Sequence, residues 1–199
     1  MAMGSIMALL LSLSEVVDSE SLRFAYSTEQ RFDTSCGLST ISCLLTQYWN
    51  RPVDELTLAR EHLTSPAKEG VWTVSMADLV QVLKSRGLFV SAYKMNFQQL
   101  TQAVSRYAPA LVHYDKPEGH FSLVLSIQNE MVITADPAEG VTAKTRTAFE
   151  SRWSGYTLLA AVPGESVNSK AIDSATSQVS ARMDLLDRVS IGIFRAGSP

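Results

Sequence analysis

Apolar residues return at spacings of three and four between Ser35 and Trp49, where Leu38, Ile41, Leu44, Leu45 and Tyr48 form one stripe. That period predicts a helix buried along one side. Asp33, Thr34 and Ser35 stand before it as N-cap candidates, and Asn50-Arg51-Pro52 ends it. A second short helix is expected over Pro52–Leu63, with Val53, Leu56, Leu58, Ala59 and Leu63 as its apolar positions and Asp54 and Glu55 in its first turn. Residues 64–74 read as a loop. Ser75 then caps a third helix, Met76–Arg86, with Leu79, Val82 and Leu83 on one face and Gly87 where a left-handed residue ends it.

From Leu88 the pattern changes. Leu88–Met95 is strand-like and Phe97–Arg106 a short helix. Pro109–Tyr114 is a continuous apolar run, as expected of a buried strand. Asp115–Gly119 is a turn, His120–Gln128 a strand, Asn129-Glu130 a tight turn and Met131–Ala135 the returning strand. Arg146–Trp153 is a helix or loop, and Tyr156–Val162 a last strand. Helices first and antiparallel strands afterwards predict an α+β domain, a helical half packed against a C-terminal antiparallel sheet.

The flanks have a different texture. Ile6–Leu13 is apolar with no Lys or Arg before it; it has the form of a secretory signal core and is too short to cross a membrane. Residues 1–21 are therefore expected as a signal or leader, which places the protein in the periplasm if it is one and in the cytoplasm otherwise. The body is expected over 22–163. Residues 164–179, rich in Ser and Ala, read as a flexible linker, and Met183, Leu186, Val189 and Phe194 as a short amphipathic tail.

Composition narrows the function classes. With 46% hydrophobic and 19% charged residues the chain is an ordinary folded one, and 199 residues suffice for one domain and a sizeable core. A net charge of −3 without a basic run gives no case for a nucleic acid or an anionic surface. Cys36 and Cys43 lie seven positions apart. On one helix that is roughly 10 Å along the axis, beyond the ~7 Å that a disulfide tolerates. No further Cys or His stands at zinc-ligand spacing, so neither a metal nor a cofactor is expected. Cys43, among Ile41, Leu44 and Leu45, reads as a buried apolar residue.

Cys36 differs because it falls in the first turn of the predicted helix, where free backbone N–H groups and the helix dipole favour a thiolate. His120 opens the run HFSLVL, and Asp136 sits in the turn Ala135-Asp136-Pro137 at the end of the strand that pairs with it. Adjacent strands are about 5 Å apart, so a hydrogen bond from His120 to Asp136 is reasonable. The roles follow: Cys36 the nucleophile, His120 its base and then the acid for the leaving amine, Asp136 the group that orients the imidazole. Gln30, with the Cys36 amide, can donate to an oxyanion, worth roughly 3 kcal/mol per donor. His113 reads as a satisfied core or cleft-wall residue, His62 as surface, and Trp49, Trp72 and Trp153 as core or cleft lining. Gly70-Val71-Trp72 is a candidate groove wall.

The run from Gln30 to Cys36-Gly37, Ser75-Met76 at a helix start, HFSLVL at His120, and ADPAEG at Asp136 with Phe149 and Trp153 beyond it resemble the C39 cysteine peptidases, over about Glu29–Val162. The resemblance implies a papain-like fold, cleavage of leader peptides after a Gly-Gly pair, a Cys36–His120–Asp136 triad and Gln30 as oxyanion donor. It further implies a stand-alone member, similar to the C39-like component of functional-amyloid secretion systems, with an exported or amyloid-system peptide as partner. Many transporter-linked members carry Asp directly before the nucleophile; here Ser35 stands there. Two other readings use the same residues: a C39-like module that holds an export substrate without cutting it, and acyl transfer to a different acceptor.

Overall fold

A computed structural model describes residues 19–32, 35–62 and 74–196. The leader reading over 1–18, the cap candidates Asp33 and Thr34, Leu63, the groove candidate Gly70-Val71-Trp72 and the side chains of Leu186, Val189 and Phe194 lie outside the described residues.

Six strands form one antiparallel sheet in the order β1-β6-β2-β3-β4-β5. They are β1 (Phe89–Lys94), β2 (Ala110–Tyr114), β3 (His120–Gln128), β4 (Met131–Asp136), β5 (Gly140–Thr145) and β6 (Trp153–Ala161). The inner strands β2, β3 and β4 carry nearly continuous buried runs because both of their faces are covered. Leu111, Phe121, Leu123, Leu125, Ile133 and Ala135 meet one helical layer: α2 (Cys36–Cys43), α3 (Glu55–His62), α4 (Met76–Ser85) and α7 (Ser169–Ala196). The alternate positions Ala110, Val112, Tyr114, Val124 and Val132 meet α5 (Phe97–Tyr107) and α6 (Arg146–Glu150) on the other side. A short helix, α1 (Ser19–Phe24), precedes them all.

The first predicted helix is α2, which widens after Cys43 into a π-helical turn, Leu44–Tyr48. All five residues of its apolar stripe are at most 1% exposed. Asn50, with φ of +51°, turns the chain out of the helix. Of the three cap candidates only Ser35 is described, and it does not cap: its hydroxyl donates to the Phe32 carbonyl at 2.6 Å. The caps predicted further on are present. Ser75 and Asp78 form a reciprocal capping box on α4, and Gly87 ends that helix region with φ of +81°.

Two readings need correction. Residues 137–145 had no assigned element, yet Gly140–Thr145 pairs along β4 as the edge strand β5. Gly140 enters it at φ of +74°, and a Cβ there would stand 2.6 Å from the Arg23 carbonyl oxygen. The expected flexible linker is helical from Ser169 onward. Its small residues Ala171, Ala175 and Val179, at successive spacings of four, are 7%, 0% and 3% exposed against the first layer. Small side chains at helical spacing let α7 approach closely, which composition alone reads as a linker. Asn168 fastens the start: its side chain accepts from the Ala171 amide and donates to the Gln47 carbonyl, while its backbone N–H donates to the Tyr48 carbonyl. Ala175→Asp should therefore bury an unpaired carboxylate and cost about 3 kcal/mol or more. The exposed change Lys170→Asp should cost under about 0.5 kcal/mol. Thermal unfolding of the two variants checks this; equal melting temperatures would mean that α7 is not docked.

Candidate active site

Cys36 is the first residue of α2; it is 8% exposed and lines a cleft. Because the Ser35 hydroxyl is engaged with Phe32, no side chain among the described residues caps the first-turn N–H groups of α2. N–H groups at a helix start favour a negative group. Gly37 lets the helix seat there: a Cβ would come within 3.1 Å of Leu79 and 3.2 Å of Phe121.

His120 opens β3, and its Nε2 lies 3.0 Å from each carboxylate oxygen of Asp136. A register shift places these two on one face. Near the hairpin turn Gln128 pairs with Met131, a register that would set Asp136 opposite Leu123, facing away from His120. The extra residue Leu125 shifts the pairing so that Leu123 meets Ala135. Asp136 thereby moves opposite Ser122, on the His120 face, since one residue of slip exchanges faces.

Asp136 is 1% exposed, and its Oδ1 accepts from the Ala138 and Glu139 amides at 2.9 and 3.2 Å. Burial alone would raise its pKa; the His120 hydrogen bond and charge, the Ala138 amide and Lys144 outweigh it and hold it below the usual carboxylate range. For His120, burial alone would push the pKa down. Hydrogen bonds with Asp136 and with the Cys36 thiol, and the charges of both, prevail and raise it from 6.5 to about 9. Nε2 is engaged by the carboxylate, so Nδ1 is the ring nitrogen left for Cys36, which lines the same cleft. Tyr114 stacks on the His120 ring, centroids 6.0 Å apart and planes within 11°, and the Arg152 guanidinium lies 5.1 Å over the Tyr114 ring. Arg152 also bonds Glu139, which pairs with Lys144.

Cys36, His120, Asp136 and Gln30, the four residues predicted from sequence, line one cleft of about 830 Å³. Gln30 is held by its backbone N–H to the Pro137 carbonyl at 3.0 Å, and its side-chain amide donates to the Phe32 carbonyl at 3.3 Å. One amide hydrogen is thus spent locally, and the second is the one that could face an oxyanion. Val74, Met76, Phe121 and Tyr156 supply apolar wall. His113 is a cleft-wall residue, whereas His62 lies away from the cleft, bonded to Ser85 between α3 and α4. Trp49 is core, and Trp153 packs beside Phe149. Cys43 is a free thiol in the core, pushed up to about 12 by complete burial.

Tyr114, Ala138, Glu139 and Arg152, which support the His120–Asp136 pair, were not singled out in the sequence. The Asp-Pro turn was the available signal for the two amides, because an Asp side chain commonly accepts from N–H groups two and three residues on. Among the described residues no cluster of His, Cys, Asp and Glu is arranged to hold a metal ion, and no helix is long and apolar enough to cross a membrane.

Comparison with known proteins gives the family and the fold. Residues 25–164 match the family model described as Peptidase C39 family. A Pseudomonas aeruginosa protein named probable functional amyloid protease FapD is 31% identical over 136 residues, 67% of this chain and 59% of the relative. The chain thus spans well under two thirds of that protein's length. Among solved structures, the peptidase domain of Streptococcus ComA, a bifunctional ABC transporter involved in quorum sensing, superposes with a TM-score of 0.60 at 20% identity, over 69% of this chain and 98% of the domain. A double-glycine-motif protease from an AMS/PCAT transporter, solved with its leader peptide, gives 0.57 at 16% identity over 67% of this chain and 89% of its own. These two establish the likeness of fold.

Proposed function

This chain belongs to the peptidase C39 family, and from that membership we propose that it cuts an exported peptide or protein by Cys-His-Asp chemistry. The observation that carries the reading is Cys36 at a helix start in the same cleft as His120, whose Nε2 is bonded to the buried Asp136. Cys36 attacks the scissile carbonyl as thiolate; the backbone N–H of Cys36 and the second Gln30 amide hydrogen stabilise the oxyanion. His120, charged beforehand, gives its proton to the leaving amine, and a thioester to Cys36 forms as the C–N bond breaks. Water, deprotonated by the now neutral His120, then hydrolyses the thioester and releases the new carboxyl terminus.

The substrate we propose is a leader-bearing export partner cut after a Gly-Gly pair, and a component of a functional-amyloid system is the favoured partner. The leader-peptide complex of the transporter protease and the amyloid-protease relative support this choice. With Ile6–Leu13 acting as a signal, the cutting takes place in the periplasm. Paired peptides that carry Gly-Gly or Ala-Ala at the same place test the preference, with products read by mass spectrometry. Cleavage of the Gly-Gly peptide at least tenfold faster is expected; equal rates would remove the double-glycine proposal, and binding without cutting would favour a holding module.

A further inference from the structure

Ser154 fixes the tautomer of the second cleft histidine. Its Oγ lies 3.0 Å from His113 Nδ1. The single hydroxyl hydrogen is donated to the His113 carbonyl at 2.9 Å, and the Tyr156 amide donates to Ser154 Oγ at 3.2 Å. Toward the ring the oxygen can only accept. Nδ1 therefore carries the proton, and Nε2 keeps its lone pair.

That Nε2 has no hydrogen-bond partner among the described residues. It stands 3.6 Å from where a Cβ on Gly119 would sit, and both residues line the same cleft as Cys36. The ring rests on Phe121, centroids 5.0 Å apart, on the same strand that begins with His120. Burial pushes the His113 pKa below 6.5, with Asp115 opposing it in part and the charge of His120 adding to it. At neutral pH the ring is uncharged, an acceptor in a wall where Val74, Met76, Phe121 and Tyr156 stand beside Ser75, Glu118, Glu139 and Arg152. A peptide laid in such a cleft loses water from its backbone N–H groups, and each one left unpaired is costly.

We propose that His113 is a substrate-positioning residue whose Nε2 accepts a hydrogen bond from a backbone N–H of the peptide bound beside Cys36. This rests on the protease reading for the kind of ligand, and not on turnover. Ser154, through the tautomer it imposes, is the residue that keeps this nitrogen an acceptor.

The test is a set of double-mutant cycles on binding to Cys36→Ala protein. The probes are synthetic peptides that span a Gly-Gly pair, with one backbone amide at a time replaced by an ester, which removes a single N–H. One replacement should weaken binding about fivefold to tenfold when His113 is present, the loss of about one net hydrogen bond. The same replacement should cost under about twofold in H113F and recover part of its effect in H113Q, whose carbonyl can accept. Esters that cost the same in all three backgrounds would overturn the proposal. Cleavage of the all-amide peptide by protein with Cys36 intact is read separately. Intact cycles without cleavage would sink the protease reading and leave the acceptor standing; cleavage with flat cycles would do the reverse.

Discussion

Cys36→Ala is expected to lower peptide cleavage by at least about 10⁴-fold, because the nucleophile of a coupled catalytic group cannot be replaced by the groups that remain. The fold should be nearly untouched. Only one sulfur atom is lost, at the edge of a cleft, so thermal unfolding should move by less than about 1 kcal/mol. Cys43→Ala is the matched comparison. That thiol is 2% exposed and completely enclosed, so its loss should cost about 1 kcal/mol of packing and leave the cleavage rate alone. A thiol-alkylating reagent at neutral pH should find Cys36 first. Burial has raised Cys43 to about 12 and shut it from solvent. Activity that persists in Cys36→Ala would end its assignment as nucleophile.

Asp136→Asn should lower kcat by roughly 10³–10⁴-fold with little change in KM. The direction follows from the two amides that donate to Oδ1. Ala138 and Glu139 require an acceptor there, so the asparagine oxygen takes that place and its NH₂ falls on the site of Oδ2, which is also 3.0 Å from His120 Nε2. An NH₂ now faces Nε2 beside the remaining oxygen, and the negative charge that held the imidazolium is gone, so the charged imidazole that pairs with the Cys36 thiolate is weakened. The pH profile should move as well. His120 is raised to about 9 despite its burial, chiefly by its hydrogen bond with Asp136 and its contact with Cys36. Its charged form is therefore available up to about pH 9, and the alkaline fall in rate should lie near there. Without the carboxylate that fall shifts to lower pH. The linked stability has the same sign: the part due to His120 is fully present below 6.5 and lost as pH rises through about 9. The part due to Asp136 is present above the ordinary carboxylate pKa and lost as pH falls through its depressed value. Equal losses in kcat and binding, with an unmoved alkaline limb, would make Asp136 a structural residue.

The four residues of the cleft were legible because each carries a local signal. Cys36 follows a helix boundary, His120 opens an apolar strand, Asp136 precedes a proline, and Gln30 stands six residues before the thiol. What brings them together was not legible. The bulge at Leu125 leaves no mark in the run HFSLVL, yet it decides which face Asp136 occupies. β5 is a six-residue strand, GVTAKT, whose apolar positions are few because it lies at the sheet edge. The docking of α7 depends on Ala171, Ala175 and Val179 meeting a surface that β3, β5 and the π-helical turn at Leu44–Tyr48 build from separate stretches of chain. Propensity and composition see neither partner. The tautomer of His113 likewise depends on Ser154, forty-one residues away, delivered by the pairing of β2 with β6.

The most direct measurement exposes a peptide library containing Gly-Gly leaders to the native protein and to Cys36→Ala, and sequences every new terminus. New termini formed only by the protein with Cys36 are the expected result. The same termini from both proteins, or none from either, would contradict a Cys36–His120–Asp136 peptidase.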